Sequence, residues 1–254
     1  MFSILPTPGI EVTEYPPAEV LAEHVERYWT LEISSPPAVI HLLPDGCIDV
    51  AFDLDRREAF VSGPLESSAQ YTHERAVRLL GVNLRPGNAV ALLGVSASTL
   101  LPEWQPLVSV IGDAARHLTA LVCDASSLRE RLALFDAFLL ARQVAHSPDA
   151  RLRHALEAIV AQEGTVDIDA LGSSSGASPR NLGRLFDDWV GLAPKRFARI
   201  VRLQAVMRRI QAEPGIALGR AALEAGYADQ AHLTREMRAL AGISPRHLSD
   251  SFKK

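Results

Sequence analysis

Residues 178–197, SPRNLGRLFDDWVGLAPKRF, and residues 229–248, DQAHLTREMRALAGISPRHL, decide how this chain folds. At a constant separation of 51 residues, Leu182 matches Leu233, Arg184 matches Arg235, Phe186 matches Met237, Gly191 matches Gly242 and Pro194 matches Pro245. Each stretch opens on a residue whose side-chain oxygen can take a free N–H of a first helical turn, Ser178 followed by Pro179 in one and Asp229 in the other. Each closes on a glycine, the residue that most easily leaves a helix. Between these signals Leu182, Leu185, Phe186 and Trp189, and then Leu233, Met237 and Leu240, recur at helical spacing and predict one buried face. A shorter helix precedes each, Asp167 to Ser175 ended by Gly176 and Ile216 to Ala225 ended by Gly226. Short helix, glycine turn and second helix make a helix-turn-helix unit, and here the unit occurs twice.

A helix opened by Pro194 and closed near Ala212 by Pro214-Gly215 joins the copies. Another, from about Arg151 to Gln162, precedes them with Leu152, Leu156, Ile159 and Val160 on one stripe, so the region beyond 150 leaves no room for a sheet. Residues before 88 read differently. The runs 25–33, 38–43, 47–54 and 77–84 combine β-branched and aromatic residues, and Pro44-Asp45-Gly46 between two of them predicts a tight turn. From 88 to 146 the period becomes helical again, through Leu118, Leu121 and Val122, then Leu128, Leu132, Phe135, Phe138 and Leu139. The polar break His146-Ser147-Pro148-Asp149 sets the expected boundary. The fold class is therefore α+β, with a β-rich domain and trailing helices at 1–146 and an all-α domain at 147–254.

The 254 residues are 48% hydrophobic and 22% charged, which excludes collagen-like, low-complexity and wholly disordered chains. The longest apolar run, Val90 to Leu101, is interrupted by Gly94, Ser96, Ser98 and Thr99 and falls short of a membrane span. The first residues show no basic segment followed by an apolar one, and Cys47 and Cys123 form neither a disulfide framework nor a zinc-finger spacing. A soluble protein of the reducing cytoplasm is expected. The net charge of −4 divides unevenly: residues 1–150 carry 10 Lys and Arg against 19 Asp and Glu, whereas residues from 178 onward carry 14 against 7. A basic segment on an acidic protein is the footprint of a polyanion-binding module.

Burying the apolar stripes leaves Arg180, Gly183 and Arg184 free near the start of the first recognition helix, and Gln230, Ala231, His232 and Arg235 on the second. Recognition helices meet base edges at such N-terminal positions. Arg pairs bidentately with guanine, Gln with adenine, and Ala meets the thymine methyl. A 19-residue joining helix spans about 28 Å, near the ~34 Å between successive major-groove faces, so one chain reaches two grooves. Lys195, Arg196, Arg199 and Arg202 are candidate phosphate contacts, and Asp187 and Asp188 predict that the first recognition helix leaves the groove in its second half.

The segment GYADQAHLTREMRALAGISPRHL (226–248) resembles the signature of the AraC/XylS-type transcription regulators, and SPRNLGRLFDDWVGLAP resembles their first recognition helix. The resemblance covers about 150–250. It implies a bipartite helix-turn-helix domain reading two successive major-groove segments of promoter DNA, with Arg180, Gly183, Arg184, Gln230, Ala231, His232 and Arg235 at the DNA-contacting positions. The chain departs from the pattern at Gly183, which offers no side chain, at Gly172 where Ala is usual, and at Met237 where Phe is common. HVERYWTLEI (24–33), LLPDGCIDVAF (42–52) and RLLGVNLRPGNAVALLGV (78–95) are similar to an uncharacterised β-rich domain that precedes this DNA-binding domain in some such regulators. That similarity implies a cupin-like sensory or dimerisation module.

The function expected is a non-enzymatic transcription regulator without a cofactor. Its expected partner is double-stranded promoter DNA, with RNA polymerase and a small-molecule effector as further candidates, as a monomer or homodimer off the membrane. No Gly-rich phosphate loop, H-E-x-x-H helix or G-x-S-x-G elbow is present. The alternative is a cupin-like enzyme or metal-binding domain, drawing on His41, Asp45, Cys47, Asp49 and His73, tethered to a DNA-binding domain. Tyr28, Trp29, Phe52 and Arg85 are read either as effector-pocket lining or as core.

Overall fold

The structure is a computed structural model and describes residues 4–142, Pro6 excepted, and 148–251. Five strands, β1 (Ile10–Tyr15), β2 (Val25–Ile33), β4 (Ile48–Asp53), β5 (Glu58–Ser62) and β7 (Val77–Leu84), join the short β8 (Gln105–Pro106) in an antiparallel sheet of order β1-β2-β7-β4-β5-β8. The remaining two, β3 (Ala38–Leu42) and β6 (Ala69–His73), pair with each other as a separate ribbon. Side chains alternate across the large sheet. Tyr28, Val50, Phe52, Leu80 and Val82 face helices α1 (Ala89–Leu93), α3 (Asp113–Asp124) and α4 (Leu128–Arg142), where they meet Leu92, Leu118, Val122, Phe135 and Leu139. Trp29, Leu31, Ile33, Ala51 and Val77 face the ribbon and pack on Ala38 and Ile40. A sheet covered on both sides explains why β4 and β7 read as nearly continuous apolar runs. Gly81 lies opposite Trp29 in the ladder, and a Cβ there would enter the indole, so only glycine lets the ring lie flat on the sheet.

Pro44-Asp45-Gly46, expected as a tight turn between two strands, is a bend that does not reverse the chain between paired strands. β3 pairs with β6 and β4 with β5 and β7, so the segment carries the chain from the ribbon to the large sheet. Asp45 accepts the Cys47 N–H at 2.9 Å and Gly46 has φ +80°, turn chemistry that serves a bend as well as a reversal. Helices are present within 88–146 as expected, with the one-turn α2 (Val108–Ile111) among them, but much of 94–107 is not helical and supplies β8. Tyr28 and Phe52 belong to the helix-side core, with Phe135 between them, and the Tyr28 hydroxyl donates to Asp136.

The basic part contains seven helices among the described residues: α5 (Ala150–Ala161), α6 (Ile168–Ser174), α7 (Pro179–Val190), α8 (Pro194–Ala212), α9 (Leu218–Glu224), α10 (Gln230–Ala241) and α11 (Pro245–Ser251). The expected boundary at 146/147 lies outside the described residues. Two cores form around one shared helix. Phe197, Ile200 and Val201 of α8 join Leu152, Leu182, Phe186 and Val190, while Leu203, Val206, Met207 and Ile210 join Leu233, Met237, Leu240 and Leu248. No helix among the described residues is long and apolar enough to cross a membrane.

Candidate nucleic-acid interface

The two recognition helices are built alike. Ser178 Oγ accepts the Asn181 N–H at 3.3 Å and Asp229 Oδ1 accepts the His232 N–H at 2.6 Å, so each helix has its N-terminal cap. Gly191 and Gly242 end them with φ +74° and +69°. α7 and α10 have the same length and are 51 residues apart in numbering throughout; only the preceding glycines, Gly176 and Gly226, fall one residue out of that register. The faces turned away from the two cores are therefore Arg180, Gly183, Arg184 and Asp187 on α7, and Ala231, Thr234, Arg235 and Arg238 on α10.

Arg180, Arg184, Gln230, Ala231 and Arg235 are exposed, and Gly183 opens to solvent with nothing near the position of a Cβ. Arg184 is held on its own helix by Asp188 at 3.3 Å and by the side-chain oxygen Oδ1 of Asn181. Arg235 makes no ion pair among the described residues. His232 is half-buried, its ring edge-on to Tyr227 at 5.3 Å and its Nδ1 accepting from the Ala228 N–H, a placement that supports the cap. Of the phosphate candidates Lys195 is exposed and Arg196 pairs with Glu66 at 3.0 Å. Arg199 grips Glu236 through two nitrogens, and Arg202 donates to the Gly164 carbonyl and covers Tyr227, so these two tie the helices together. Trp189 is half-buried, and Val190 takes the interior place beside Phe186.

Thr234, Arg238 and Arg246 lie on this surface and were not among the expected contacts. Arg238, Thr234 and Arg235 share one shallow concave surface with Gln230 and Ala231. Arg238 is the counterpart of Asp187, so the groove-side face of α10 is basic where that of α7 is mixed. Arg246, exposed at the start of α11, is the counterpart of Lys195. Continuing the 51-residue register beyond the aligned apolar positions would have found all three.

The acidic half touches the rear of both units. The segment 63–68 between β5 and β6 runs past them: Pro64 lies against Gly191, Glu66 holds Arg196, and the Ser68 N–H donates to the Leu240 carbonyl at 2.7 Å. Ser96 adds a hydroxyl bond to the Asp188 carbonyl. His41 faces Ala241 and His247, and its burial lowers its pKa. Buried Gln204 of α8 donates to the Pro44 carbonyl at 2.8 Å, Gly46 leaves room for the Phe197 ring, and Leu5 and Leu43 enter the second core. All of these contacts lie at the C-terminal ends or inner sides of the units, leaving the first turns of α7 and α10 open.

Between the large sheet and the ribbon is a cavity of about 920 Å³. Trp29, Asp45, Cys47 and Asp49 line it, and so do Leu65 of the segment 63–68 and Arg208 and Gln211 of α8. Burial pushes the Cys47 thiol well up. Among the described residues no three His, Cys, Asp or Glu side chains stand together as a metal site. Arg85 lies outside the cavity, bound to Glu26 and to the Ala22 carbonyl.

Two helix-turn-helix units sharing one central helix, with matched free faces, define a DNA-binding domain. Residues 171–251 match the family model described as Helix-turn-helix domain, and residues 13–103 match a Domain of unknown function (DUF6597). By sequence as well as by structure the C-terminal part is therefore a helix-turn-helix domain, the architecture of many DNA-binding proteins. No curated protein matches the chain. Among solved structures it is similar to a transcriptional regulator with an AraC-type DNA-binding domain from Chromobacterium violaceum, at 22% identity and TM-score 0.38 over 41% of this chain and 93% of that one. It is also similar to ToxT from Vibrio cholerae, at 8% identity and TM-score 0.48 over the whole of both chains. A ToxT structure with bound unsaturated fatty acid aligns at 9% identity and TM-score 0.45, over 97% of this chain and 95% of that one.

Proposed function

We propose that the chain places α7 and α10 in two successive major-groove segments on one side of promoter DNA, Arg184 and Arg235 reading base edges and Arg180, Lys195, Arg238 and Arg246 meeting phosphates. Gln230 and Ala231 complete the reading surface of α10, while Gly183 lets the α7 backbone approach the bases. The observation that carries this reading is the register of the two free faces on either side of α8, whose 19 residues span about 28 Å. Units 1–146 and 147–254 divide the work. The first senses a small molecule in its cavity and the second reads DNA; the chain acts in the cytoplasm as a non-enzyme, with RNA polymerase as its macromolecular partner.

The cavity supports the sensing role because its wall includes Arg208 and Gln211 of the helix that sets the spacing of the two units, and because Leu65 belongs to the segment that touches both. A ligand filling it would bias that spacing, which requires only different affinities for two arrangements. Footprinting of the full chain on a duplex selected from a random pool tests the DNA reading. Two protected patches about 10 base pairs apart on one face are expected. One short patch would contradict it.

A further inference from the structure

The cavity floor carries a polar row that DNA reading leaves without a task. Arg27 of β2, Asn83 of β7 and Asp49 of β4 stand side by side across three paired strands, with Asp45 next to them. Arg27 is ion-paired with Glu14 at 3.2 Å and Asp45 at 3.3 Å. Asp49 accepts from the side chains of Trp29 and Asn83. Asn83 is fully buried, and its Oδ1 accepts no hydrogen bond among the described residues. A buried acceptor left without a donor costs about 1–3 kcal/mol, so the position asks for an N–H or O–H from whatever enters.

The charges point the same way. One guanidinium faces three carboxyls, and burial together with the neighbouring Asp45 pushes the Asp49 carboxyl up to about 8. The other basic groups on the wall stand apart from the floor: Arg75 is held by Asp53 at 2.5 Å, Arg208 lies 3.8 Å from Glu163, and Arg56 is exposed. Toward the interior the cavity therefore offers hydrogen-bond acceptors, and among the described residues carboxyl groups outnumber guanidinium groups there. Around them lie Leu31, Ile40, Leu42, Leu79, Trp29 and Trp104, apolar and aromatic groups that suit an apolar body and a cation alike.

We propose that this cavity binds an organic cation, a primary ammonium on an apolar body of ring size, whose N–H groups donate to Asn83 Oδ1 and to a carboxyl oxygen of Asp49 while the body rests on Trp29 and Trp104. The proposal deepens the sensing role assigned above and rests on it only for the effect on DNA. Calorimetric titration of the full chain with phenethylamine, phenethyl alcohol and phenylacetate tests the chemistry without any variant. The amine is expected to bind about tenfold or more tighter than the alcohol and the acid, and Asp49→Asn is expected to remove about tenfold of the amine affinity while leaving the alcohol nearly unchanged. Tighter binding of phenylacetate, no binding of the amine, or an amine affinity indifferent to Asp49→Asn in a folded variant overturns the proposal. Repeating the DNA titration with each probe separates the two readings. An amine that binds in this way but leaves DNA affinity unchanged supports the ligand class and refutes the sensing role; phenylacetate that binds tighter and alters DNA affinity does the reverse.

Discussion

Arg196 is expected at a phosphate, yet Glu66 of the acidic half holds it, and substituting Glu66 by Gln decides between these roles. The pair is a single contact of 3.0 Å, with the arginine side chain 30% and the glutamate 63% exposed. Exposed pairs of this kind contribute at most about 1 kcal/mol, because solvent screens them and both long side chains lose freedom. If DNA binding must first break the pair, Glu66→Gln tightens the full chain on its DNA by up to about fivefold. Arg196→Ala should weaken binding and reduce the slope of log affinity against log salt by about 0.9, the value of one lost phosphate contact. In the double variant the gain from Glu66→Gln should vanish, since no arginine is left to release. Fluorescence anisotropy of the four proteins at several salt concentrations reads all three quantities. A salt slope unchanged by Arg196→Ala, or a gain that survives in the double variant, would refute the reasoning and leave Arg196 as a tie between the two halves.

Other consequences can be checked in parallel. Gly183→Ala adds a methyl where nothing lies within 4 Å, so it should stabilise α7 by about 0.5–1 kcal/mol and raise Tm by roughly 1–4 °C; a lower Tm would show that the position is not open helix. Gly81→Ala drives a Cβ into the Trp29 indole and should cost about 1–3 kcal/mol, seen as a lowered Tm and a changed Trp fluorescence; an unchanged melt would contradict the close packing. The buried Asp49 carboxyl, raised to about 8 from an ordinary value near 3.8, favours folding while protonated, fully so below about pH 4, and this contribution is lost as the pH rises through about 8. Asp49→Asn should therefore gain on the parent as pH rises from 5 to 8.5 in thermal melts, and a difference independent of pH would refute the buried placement.

The duplicated units were legible because a helix declares itself locally: Ser178-Pro179, Asp229, Gly191 and Gly242 bound α7 and α10 to the residue. β2 and β7 were likewise readable at 25–33 and 77–84, as dense β-branched and aromatic runs. Strands β1 and β6 were not, since IEVTEY and AQYTH owe their conformation to partners elsewhere in the chain. For the same reason the turn chemistry at Pro44-Asp45-Gly46 gave a bend without naming what it joins. The site divided in the same way. Exposure of Arg184 and Arg235 followed from helical periodicity, whereas the tie of Arg196 to Glu66, the caps around His232 and the cavity row of Arg27, Asn83 and Asp49 arise from contacts between distant segments.

Base reading by the two matched arginines is the claim on which the account stands, and a comparison of specific with random DNA measures it most directly. Arg184→Ala, Arg235→Ala and Lys195→Ala should be titrated by gel shift against the selected duplex and a scrambled one. Each arginine variant should lose about 1–3 kcal/mol on the selected duplex and little on the scrambled one, with relaxed preference at positions about one helical turn apart. Lys195→Ala should weaken both duplexes alike. Equal losses on the two duplexes for Arg184→Ala and Arg235→Ala would contradict the assignment of α7 and α10 as the helices that read sequence.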